Sequence, residues 1–245
     1  MSTRDVKDYH IKNKPRLMKQ FELTLEIVKD ILKERFTASK CETLINQMRK
    51  EYEGILTKMT DIGGGKHPFI STLTSKVSLL AIFHILDKEG YTYREIGEFS
   101  IRYKEIETKK EMKRIEKSGG NYLDIMFSDA YLKPLKKYCE LSQRRKYPDD
   151  WVMKFVDGTN EEFDFGINIS ECGILKAYKK LGAEKYGPFM CLLDFAHAHV
   201  IGFKFSRTKT IANGASGCDH RYTRIGTTPK AWPPDHIKEY TKRFE

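Results

Sequence analysis

The spacing of hydrophobic residues changes once along this chain, and that change limits the folds it can adopt. Between residues 16 and 58, apolar residues recur every three or four positions, as in the stripe that contains Leu17, Phe21 and Leu25. This spacing places side chains on one face of an α-helix. Helical patterns continue to about residue 147, so the sequence predicts a helical region over residues 1–147.

A strand-like pattern begins after residue 147. Trp151, Met153 and Phe155 alternate with the residues between them, and a second alternating run begins at Phe163. Alternation of this kind is typical of half-buried β-strands. The Asp-Gly pair within residues 157–160 is a turn signal, so we predict a β-hairpin that turns there.

The complete pattern predicts an α+β fold. Two more strands are expected over residues 203–211 and 218–225, which gives residues 148–245 a small, mostly antiparallel sheet with short helices. A helix over residues 122–144 is expected to kink or break at Pro134, because proline interrupts helical hydrogen bonding. The helical and mixed regions are expected to form one compact unit.

Composition indicates a soluble chain with a hydrophobic core. Of the 245 residues, 40% are hydrophobic and 32% are charged. No apolar run reaches the roughly 18–20 residues that a membrane span needs, and the polar first residues lack the apolar segment of a signal peptide. We therefore expect a cytoplasmic protein with no membrane partner.

The number and spacing of the cysteines indicate free thiols. Five cysteines are present, an odd number, and they are scattered at positions 41, 139, 172, 191 and 218. The absence of CxxC spacing argues against a zinc ribbon or a redox motif. A secreted disulfide scaffold would contain a higher density of cysteine.

A net charge of +10 raises the question of nucleic-acid binding. Over residues 104–118, however, the basic residues are interleaved with glutamates, which is typical of a solvated helix face. We therefore predict a small-molecule substrate rather than a nucleic-acid partner. Homo-oligomerisation is left open.

The run Gly63–Lys66 has the composition of a phosphate-binding loop. It lacks the spacing of the eight-residue glycine-rich motif, and no clear strand precedes it. We interpret it as a turn between helices, or as a loop whose backbone lies against a pocket.

Residues capable of chemistry are concentrated in the mixed region. Cys172 follows a glutamate, Cys218 precedes Asp219, and Cys191 lies three residues before Asp194. A reactive cysteine needs neighbouring positive charge to form a thiolate, and a hydrolytic water needs a base such as Asp194 or Asp219. The candidate catalytic residues are therefore Cys191, Asp194, Cys218, Asp219 and Cys172.

Two other interpretations of these residues remain open. Each cysteine can simply be a small buried core residue. His197 and His199, two residues apart as on a strand face, offer metal ligands together with the cysteines and aspartates. Their spacing matches no metal-binding signature, so we predict no metal and no cofactor.

Several segments of the chain resemble the L-2-amino-thiazoline-4-carboxylic acid hydrolase family. The most specific is the run RTKTIANGA at 207–215 followed by CDHRY at 218–222. Weaker resemblances are found at residues 61–69, 91–97, 165–172 and 181–194, so the likeness extends over about residues 40–225. Where the family pattern has an aromatic residue between the Asp and the Arg, this chain has His220, a change expected to bear on substrate choice.

The resemblance implies a hydrolase acting on carbon–nitrogen bonds, which opens a cyclic amidine with water to give an N-carbamoyl product. In this interpretation Asp194 or Asp219 is the base, or holds the protonated amidine, and Cys191 or Cys218 is the candidate nucleophile. The residues assigned to the carboxylate-bearing substrate are Arg207, Arg221, His199, Asn168 and Thr210. The two arginines can instead form structural ion pairs with the aspartates.

Two alternatives come from other classes of protein. The cysteine-rich half also resembles a small-molecule-binding domain called the 4-vinyl reductase domain, which points to a ligand sensor without turnover. A metal-dependent hydrolase is the second alternative, since Cys, His and Asp ligands are all present.

Overall fold

The architecture is α+β, as the sequence predicts. The computed structural model describes residues 9–60, 62–159 and 162–245, and within them long helices precede a four-stranded sheet with short helices. The helices are α1 Lys14–Leu32, α2 Ala38–Leu56, α3 Ile70–Lys88, α4 Tyr93–Lys117, α5 Tyr122–Met126, α6 Asp129–Ser142, α7 Gly173–Lys180 and α8 Gly187–Ile201. The strands are β1 Val152–Thr159, β2 Phe163–Glu171, β3 Lys204–Ser206 and β4 Cys218–Thr223.

The first two helices follow directly from the hydrophobic pattern. The stripe that contains Leu17, Phe21 and Leu25 is buried along α1. Helix α2 begins after Thr37, whose side chain accepts a hydrogen bond from the backbone N–H of Lys40 and so satisfies one of the donors left unpaired at a helix start. Burying each such large apolar side chain contributes roughly 1.5–3 kcal/mol.

Helix α3 is apolar on most of its surface because it lies in the core. Leu73, Val77 and Leu80 are fully buried. By length and composition alone α3 could cross a membrane, but 67% of its apolar window is buried inside the structure. A helix surrounded by protein on all sides is expected to be apolar all round.

The glycine run forms a turn between helices rather than a phosphate loop. Gly63 and Gly64 have φ angles of 104° and 71°, which non-glycine residues adopt with strain. A side chain at Gly63 would meet the ring of Tyr147 at 2.6 Å. The glycines are therefore explained by backbone conformation and close packing. Asp61, which precedes them, lies outside the described residues.

Helix boundaries between residues 92 and 142 follow capping residues. Thr92 and Glu95 form a capping box before α4, with Thr92 N–H donating to Glu95 Oε2 and Glu95 N–H donating to Thr92 Oγ1. The expected break at Pro134 is wrong, because Pro134 lies inside α6. The chain breaks instead before Ser128, whose side chain accepts a hydrogen bond from the N–H of Tyr131 and begins α6.

The sheet has the strand order β1-β2-β4-β3, with antiparallel neighbours. The predicted β1–β2 hairpin forms, but its turn does not lie at Asp157–Gly158. Strand β1 continues to Thr159, which pairs with Phe163. A Cβ at Gly158 would collide with the backbone of Asp164, so this glycine permits close strand approach rather than a turn.

Strand β3 is much shorter than the predicted run over residues 203–211. It ends at Ser206, because the next residues bond elsewhere. The backbone N–H groups of Thr208 and Lys209 both donate to Asp219 Oδ1, each at 3.0 Å. Thr210 then caps a 3-10 turn over Ile211–Asn213.

The pairing of β2 with β4 separates adjacent residues onto two faces of the sheet. Ile169 faces Cys218, Ile167 faces His220 and Phe165 faces Tyr222 across the ladder. On the buried face lie Phe165, Ile167, Ile169, Cys218, His220 and Tyr222. The intervening residues point to the other face. They form the pairs Asn168 with Asp219 and Gly166 with Arg221. We call the buried face of the sheet the inner face and the opposite face the outer face.

His197 and His199 lie on helix α8, not on a strand. The expectation that they share a strand face is therefore wrong, because two residues of separation on a helix turns the side chains in nearly opposite directions. Helix α8 is apolar over most of its length, so its sequence shows no one-sided hydrophobic stripe.

The chain also clusters into two compact units that do not follow a division at residue 147. One contains residues 1–99, 147–149 and 173–186, and the other contains residues 100–146, 150–172 and 187–245. The boundaries of the compact units thus differ from the point at which the secondary structure changes from helical to mixed.

Candidate active site

Arg207 is at the centre of a buried hydrogen-bond cluster. Its Nε and Nη2 groups bind the two carboxylate oxygens of Glu239 in a bidentate pair, and Nη2 also donates to the carbonyl oxygen of Cys191 at 2.8 Å. Nη1 donates to Asp194 Oδ2 at 2.9 Å and to His220 Nε2 at 3.1 Å. A guanidinium has five N–H groups, so every one has an acceptor within the chain.

The guanidinium and its main partner are almost entirely removed from solvent. The side chains of Arg207 and Glu239 are 1% and 0% exposed, whereas that of Asp194 is 42% exposed. Burial by itself would lower the pKa of Arg207, but the carboxylate of Glu239 outweighs it and the pKa is raised. Burial raises the pKa of Glu239, and Arg207 opposes that shift. Removing one member of such a pair leaves an uncompensated buried charge.

Arg207 also determines the tautomer of His220. A guanidinium can only donate, so His220 Nε2 must accept and Nδ1 must carry the proton. Nδ1 lies 3.2 Å from the hydroxyl of Tyr222 and donates to it. Burial, followed by the charge of Arg207, lowers the pKa of His220 from 6.5 to about 3, so the imidazole stays neutral. The hydroxyl hydrogen of Tyr222 is consequently directed away from His220.

A cavity of about 270 Å³ lies beside this cluster. It is bounded by residues of α4, α5, α6, α8, β3 and β4 and by Phe203. Its polar lining is formed by Glu111, Tyr122, Tyr131, Asp194, His197 and Tyr222. Its apolar lining is formed by Ile115, Ile125, Met126, Phe203 and Phe205. An apolar cavity with a few convergent polar groups is the usual form of a small-molecule site.

His197 is held between two hydroxyl groups at the wall of this cavity. Its Nδ1 lies 3.2 Å from Thr108 Oγ1, and its Nε2 lies 3.3 Å from the hydroxyl of Tyr122. Hydroxyl groups both donate and accept, so this arrangement satisfies a neutral imidazole in either tautomer. Burial, followed by the negative charge of Glu111, raises the pKa of Tyr122, and the phenol stays protonated.

The three cysteines chosen from the sequence lie near one another but not in the cavity wall. Cys172 and Cys218 both contribute to the electrostatic environment of Cys191. Burial raises the pKa of Cys191 well above its usual value and that of Cys218 to about 11. None of the three is among the described residues that line the cavity. All are free thiols, and burial disfavours the thiolate of Cys191 and that of Cys218.

Comparison with known families gives one match. A family model described as L-2-amino-thiazoline-4-carboxylic acid hydrolase matches residues 79–222, more than half of the chain. The chain belongs to the L-2-amino-thiazoline-4-carboxylic acid hydrolase family. No curated protein and no solved structure matches it. The matched segment includes every described residue that lines the cavity, whereas Glu239 lies beyond its end.

Two of the acidic candidates have different surroundings in this hydrolase-family chain. Asp194 reaches both the cavity and Arg207. Asp219 lies on the outer face and accepts hydrogen bonds from the side chain of Thr208 and from two backbone N–H groups. Burial alone would raise the pKa of Asp219, but these hydrogen bonds outweigh it and lower the pKa. Asp219 therefore fixes the loop after β3, which also orients Arg207.

The remaining substrate-binding candidates are dispersed. Arg221 donates to Asn168 Oδ1 at 2.9 Å, and both lie on the outer face of the sheet. His199 Nδ1 lies 2.8 Å from the carbonyl oxygen of Thr228. Thr210 is fully buried and caps a 3-10 turn. None of these four is among the described residues that line the cavity.

Sequence reasoning missed several residues of this hydrolase-family site. Glu239 lies in a tail without periodic structure, so no pattern connects it to Arg207. Glu111 was considered part of a charged helix face, and Tyr122 a helix start. Tyr222 alone had a usable signal, because it shares strand alternation with Cys218 and His220.

The metal-dependent alternative gains no support from the described residues. Among them, no group of three or more His, Cys, Asp or Glu side chains is arranged to hold a metal ion. The separation of His197 and His199 on opposite sides of α8 accounts for part of this result.

Proposed function

We propose that this chain hydrolyses a small cyclic amidine in the 270 Å³ cavity. In this proposal the Asp194 carboxylate holds the protonated amidine or takes a proton from the attacking water. The observation that carries the proposal is the position of Asp194: its carboxylate lines the cavity, is 42% exposed and lies within the family-matched segment. Pockets for drug-sized ligands have volumes of roughly 300–1,000 Å³. A smaller cavity fits a single small heterocycle.

A carboxylate is chemically suited to an amidine. It accepts charge-assisted hydrogen bonds from amidinium N–H groups, and holding the protonated form makes the amidine carbon more electrophilic. The same carboxylate is able to take a proton from an attacking water. Arg207 supports either role, because its Nη1 group donates to Asp194 Oδ2 at 2.9 Å and holds the side chain in place.

Ring opening of a thiazoline requires water to add to the amidine carbon. The water oxygen forms a bond to that carbon, and the bond from the carbon to the ring sulfur breaks. One water proton ends on the sulfur as a thiol and the other on the ring nitrogen, and the added oxygen becomes the carbonyl of the N-carbamoyl group. Because that product keeps both amidine nitrogens, the bond broken is C–S. This revises the sequence-based expectation of C–N cleavage.

Tyr222 supplies a neutral hydrogen-bond donor at the cavity wall. Burial, followed by the charge of Asp194, raises the pKa of Tyr222 well above its usual value, so the phenol remains protonated. His220 donates to its oxygen, which leaves the hydroxyl hydrogen for another acceptor. A fixed donor of this kind stabilises negative charge that develops as a bond breaks.

Direct attack by water fits these surroundings better than attack by a thiolate. The pKa values of Cys191 and Cys218 are raised by burial, and neither sulfur belongs to the described cavity lining. The roles of Cys191, Cys218 and Cys172 in this proposal are structural.

The test is turnover of 2-amino-thiazoline-type amidines, with thiol and ammonia measured in parallel. Ring opening releases one thiol per turnover, whereas loss of the exocyclic nitrogen releases ammonia. Asp194→Asn is expected to lower turnover by about 10²–10⁴-fold, the usual contribution of a positioned acid–base group. Asp129→Asn is the matched control, because that carboxylate is 81% exposed and pairs with Lys133.

Full turnover in the Asp194→Asn variant would contradict the assignment of Asp194. Tight ligand binding without release of thiol or ammonia across the panel would instead favour the sensor alternative. Elemental composition of the same sample, with and without chelator, tests the metal-dependent alternative.

A further inference from the structure

The charged groups of the cavity have one sign. Glu111 and Asp194 line it, with side chains 35% and 42% exposed. Among the described lining residues there is no lysine and no arginine. Arg114 lies 3.9 Å from Glu111, but its side chain is 80% exposed, and such surface pairs are weak.

The positive charge of Arg207 does not make the surroundings of the cavity positive. Its single positive charge is shared between two carboxylates, Glu239 and Asp194, so the three groups together carry a net charge of −1 when both acids are ionised. His220 contributes no charge, since burial lowers its pKa to about 3. All five guanidinium N–H groups already have acceptors, which leaves none for a substrate carboxylate.

His197 is the one described lining side chain that could carry a positive charge. Both of its ring nitrogens face hydroxyl groups, those of Thr108 and Tyr122. A neutral imidazole satisfies this arrangement without a change of protonation.

Aromatic rings form much of the remaining wall. Five aromatic side chains line the cavity, namely Tyr122, Tyr131, Phe203, Phe205 and Tyr222. The faces of such rings attract organic cations, and cages of this type recognise ammonium groups. Aromatic walls with carboxylates provide two independent attractions for a cation, whereas an anion would meet only neutral donors such as the Tyr222 hydroxyl.

Two lysines of the same helix line a different surface. Glu111 and Ile115 of α4 line the cavity, whereas Lys109 and Lys113 of α4 line a separate open groove together with Lys230. These three lysines are therefore not part of the described cavity lining.

We infer that the cavity takes a small organic cation, a cyclic amidinium without a carboxylate group. A substrate carboxylate would lie near Glu111 and Asp194 with no arginine or lysine to receive it. The substrate class thus differs from the carboxylate-bearing thiazoline of the family name. The inference about turnover rests on the proposed function, but the inference about binding does not.

Calorimetric titration of the unmodified protein with three matched compounds tests this inference. They are 2-amino-2-thiazoline, its 4-carboxylate, and the neutral 2-thiazolidinone. The cation is expected to bind at least about tenfold more tightly than either of the others, since one hydrogen bond to a charged group contributes about that factor. Equal or tighter binding of the carboxylate, or no binding of the cation, would overturn the inference.

Charge-neutralising variants test which carboxylate gives the cavity its preference for a cation. Glu111→Gln is expected to weaken binding of the cation about tenfold and to leave binding of the neutral compound unchanged. Glu116→Gln on the same helix is the matched control, because Glu116 lines the separate groove. An equal loss in both variants would mean a general surface effect and would also overturn the inference.

Failure of this inference is distinguishable from failure of the proposed function. Selective binding of 2-amino-2-thiazoline without thiol release supports the cation site and contradicts the hydrolase proposal. Faster thiol release from the 4-carboxylate than from 2-amino-2-thiazoline supports the hydrolase proposal and contradicts the cation site.

Discussion

The two faces of strand β4 have different roles, although their residues alternate along a single strand. On the inner face, Cys218, His220 and Tyr222 pair with buried residues of β2, and His220 connects Arg207 to the cavity-lining Tyr222. On the outer face, Asp219 holds the loop after β3 and Arg221 binds Asn168. Closeness in sequence therefore does not make one site, because strand geometry directs neighbours to opposite sides.

The difference between the faces is also one of solvation. The inner cluster contains a guanidinium and a carboxylate that are 1% and 0% exposed, so loss of one partner is costly. The outer residues have water as an alternative partner. The effects of substitutions on the two faces should consequently differ in magnitude, and also in whether they change stability or catalysis.

The largest expected effect on stability is that of Glu239→Ala. It leaves the buried guanidinium of Arg207 without its bidentate partner, which should lower the free energy of unfolding by about 3–5 kcal/mol. Urea denaturation measures this change. Glu245→Ala in the same tail is a control at an exposed position. A loss below about 1 kcal/mol would mean that the cluster contributes little, and the contrast between the faces would fail.

Tyr222→Phe is expected to have the next largest effect, on catalysis rather than on stability. Removal of the hydroxyl takes away the donor that His220 orients toward the cavity, so we expect kcat to fall about 10²-fold, at the low end for loss of one preorganised donor. KM should change little. Steady-state kinetics of thiol release measures both. A change confined to KM would assign Tyr222 to binding alone.

His220→Phe should change how stability depends on pH. The folded-state pKa of His220 is lowered from 6.5 to about 3, so between these values the unfolded chain binds a proton that the folded chain does not. Stability from this group is present above pH 6.5 and is lost as the pH falls toward 3. The variant should therefore show a smaller decline of Tm over that range. His236→Phe, at an exposed position, is the control and should keep the decline of the unmodified protein.

Local features of the fold could be predicted because they depend on neighbouring residues. The stripe on α1 and the Thr92–Glu95 capping box are both present, and the α+β class is confirmed. Boundaries were less predictable where two local signals compete. Ser128 begins α6 although Pro134 suggested the break, because the Ser128 side chain caps the new helix.

The candidate site could be predicted only in part. Asp194 and Arg207 were both chosen from the sequence, and they are in contact. Glu239 was missed because it joins Arg207 across 32 residues of sequence and an irregular tail. The outer-face candidates were chosen for residue type, closeness in sequence and family resemblance. The predicted strand over residues 218–225 already implied that Asp219 and Arg221 point away from Cys218 and Tyr222.

Arg221→Ala should produce the smallest effect and gives the sharpest check on the contrast. Arg221 lies on the outer face, where its guanidinium binds the exposed side chain of Asn168 and stacks over Phe163 at 5.1 Å. Partly solvated contacts of this kind contribute about 1 kcal/mol or less, and no described lining residue of the cavity depends on them. We therefore expect a small loss of stability in urea denaturation, with kcat and KM for thiol release unchanged. A large rise in KM for carboxylate-bearing substrates alone would instead assign Arg221 to substrate binding, and the site would then have to extend to the outer face of the sheet.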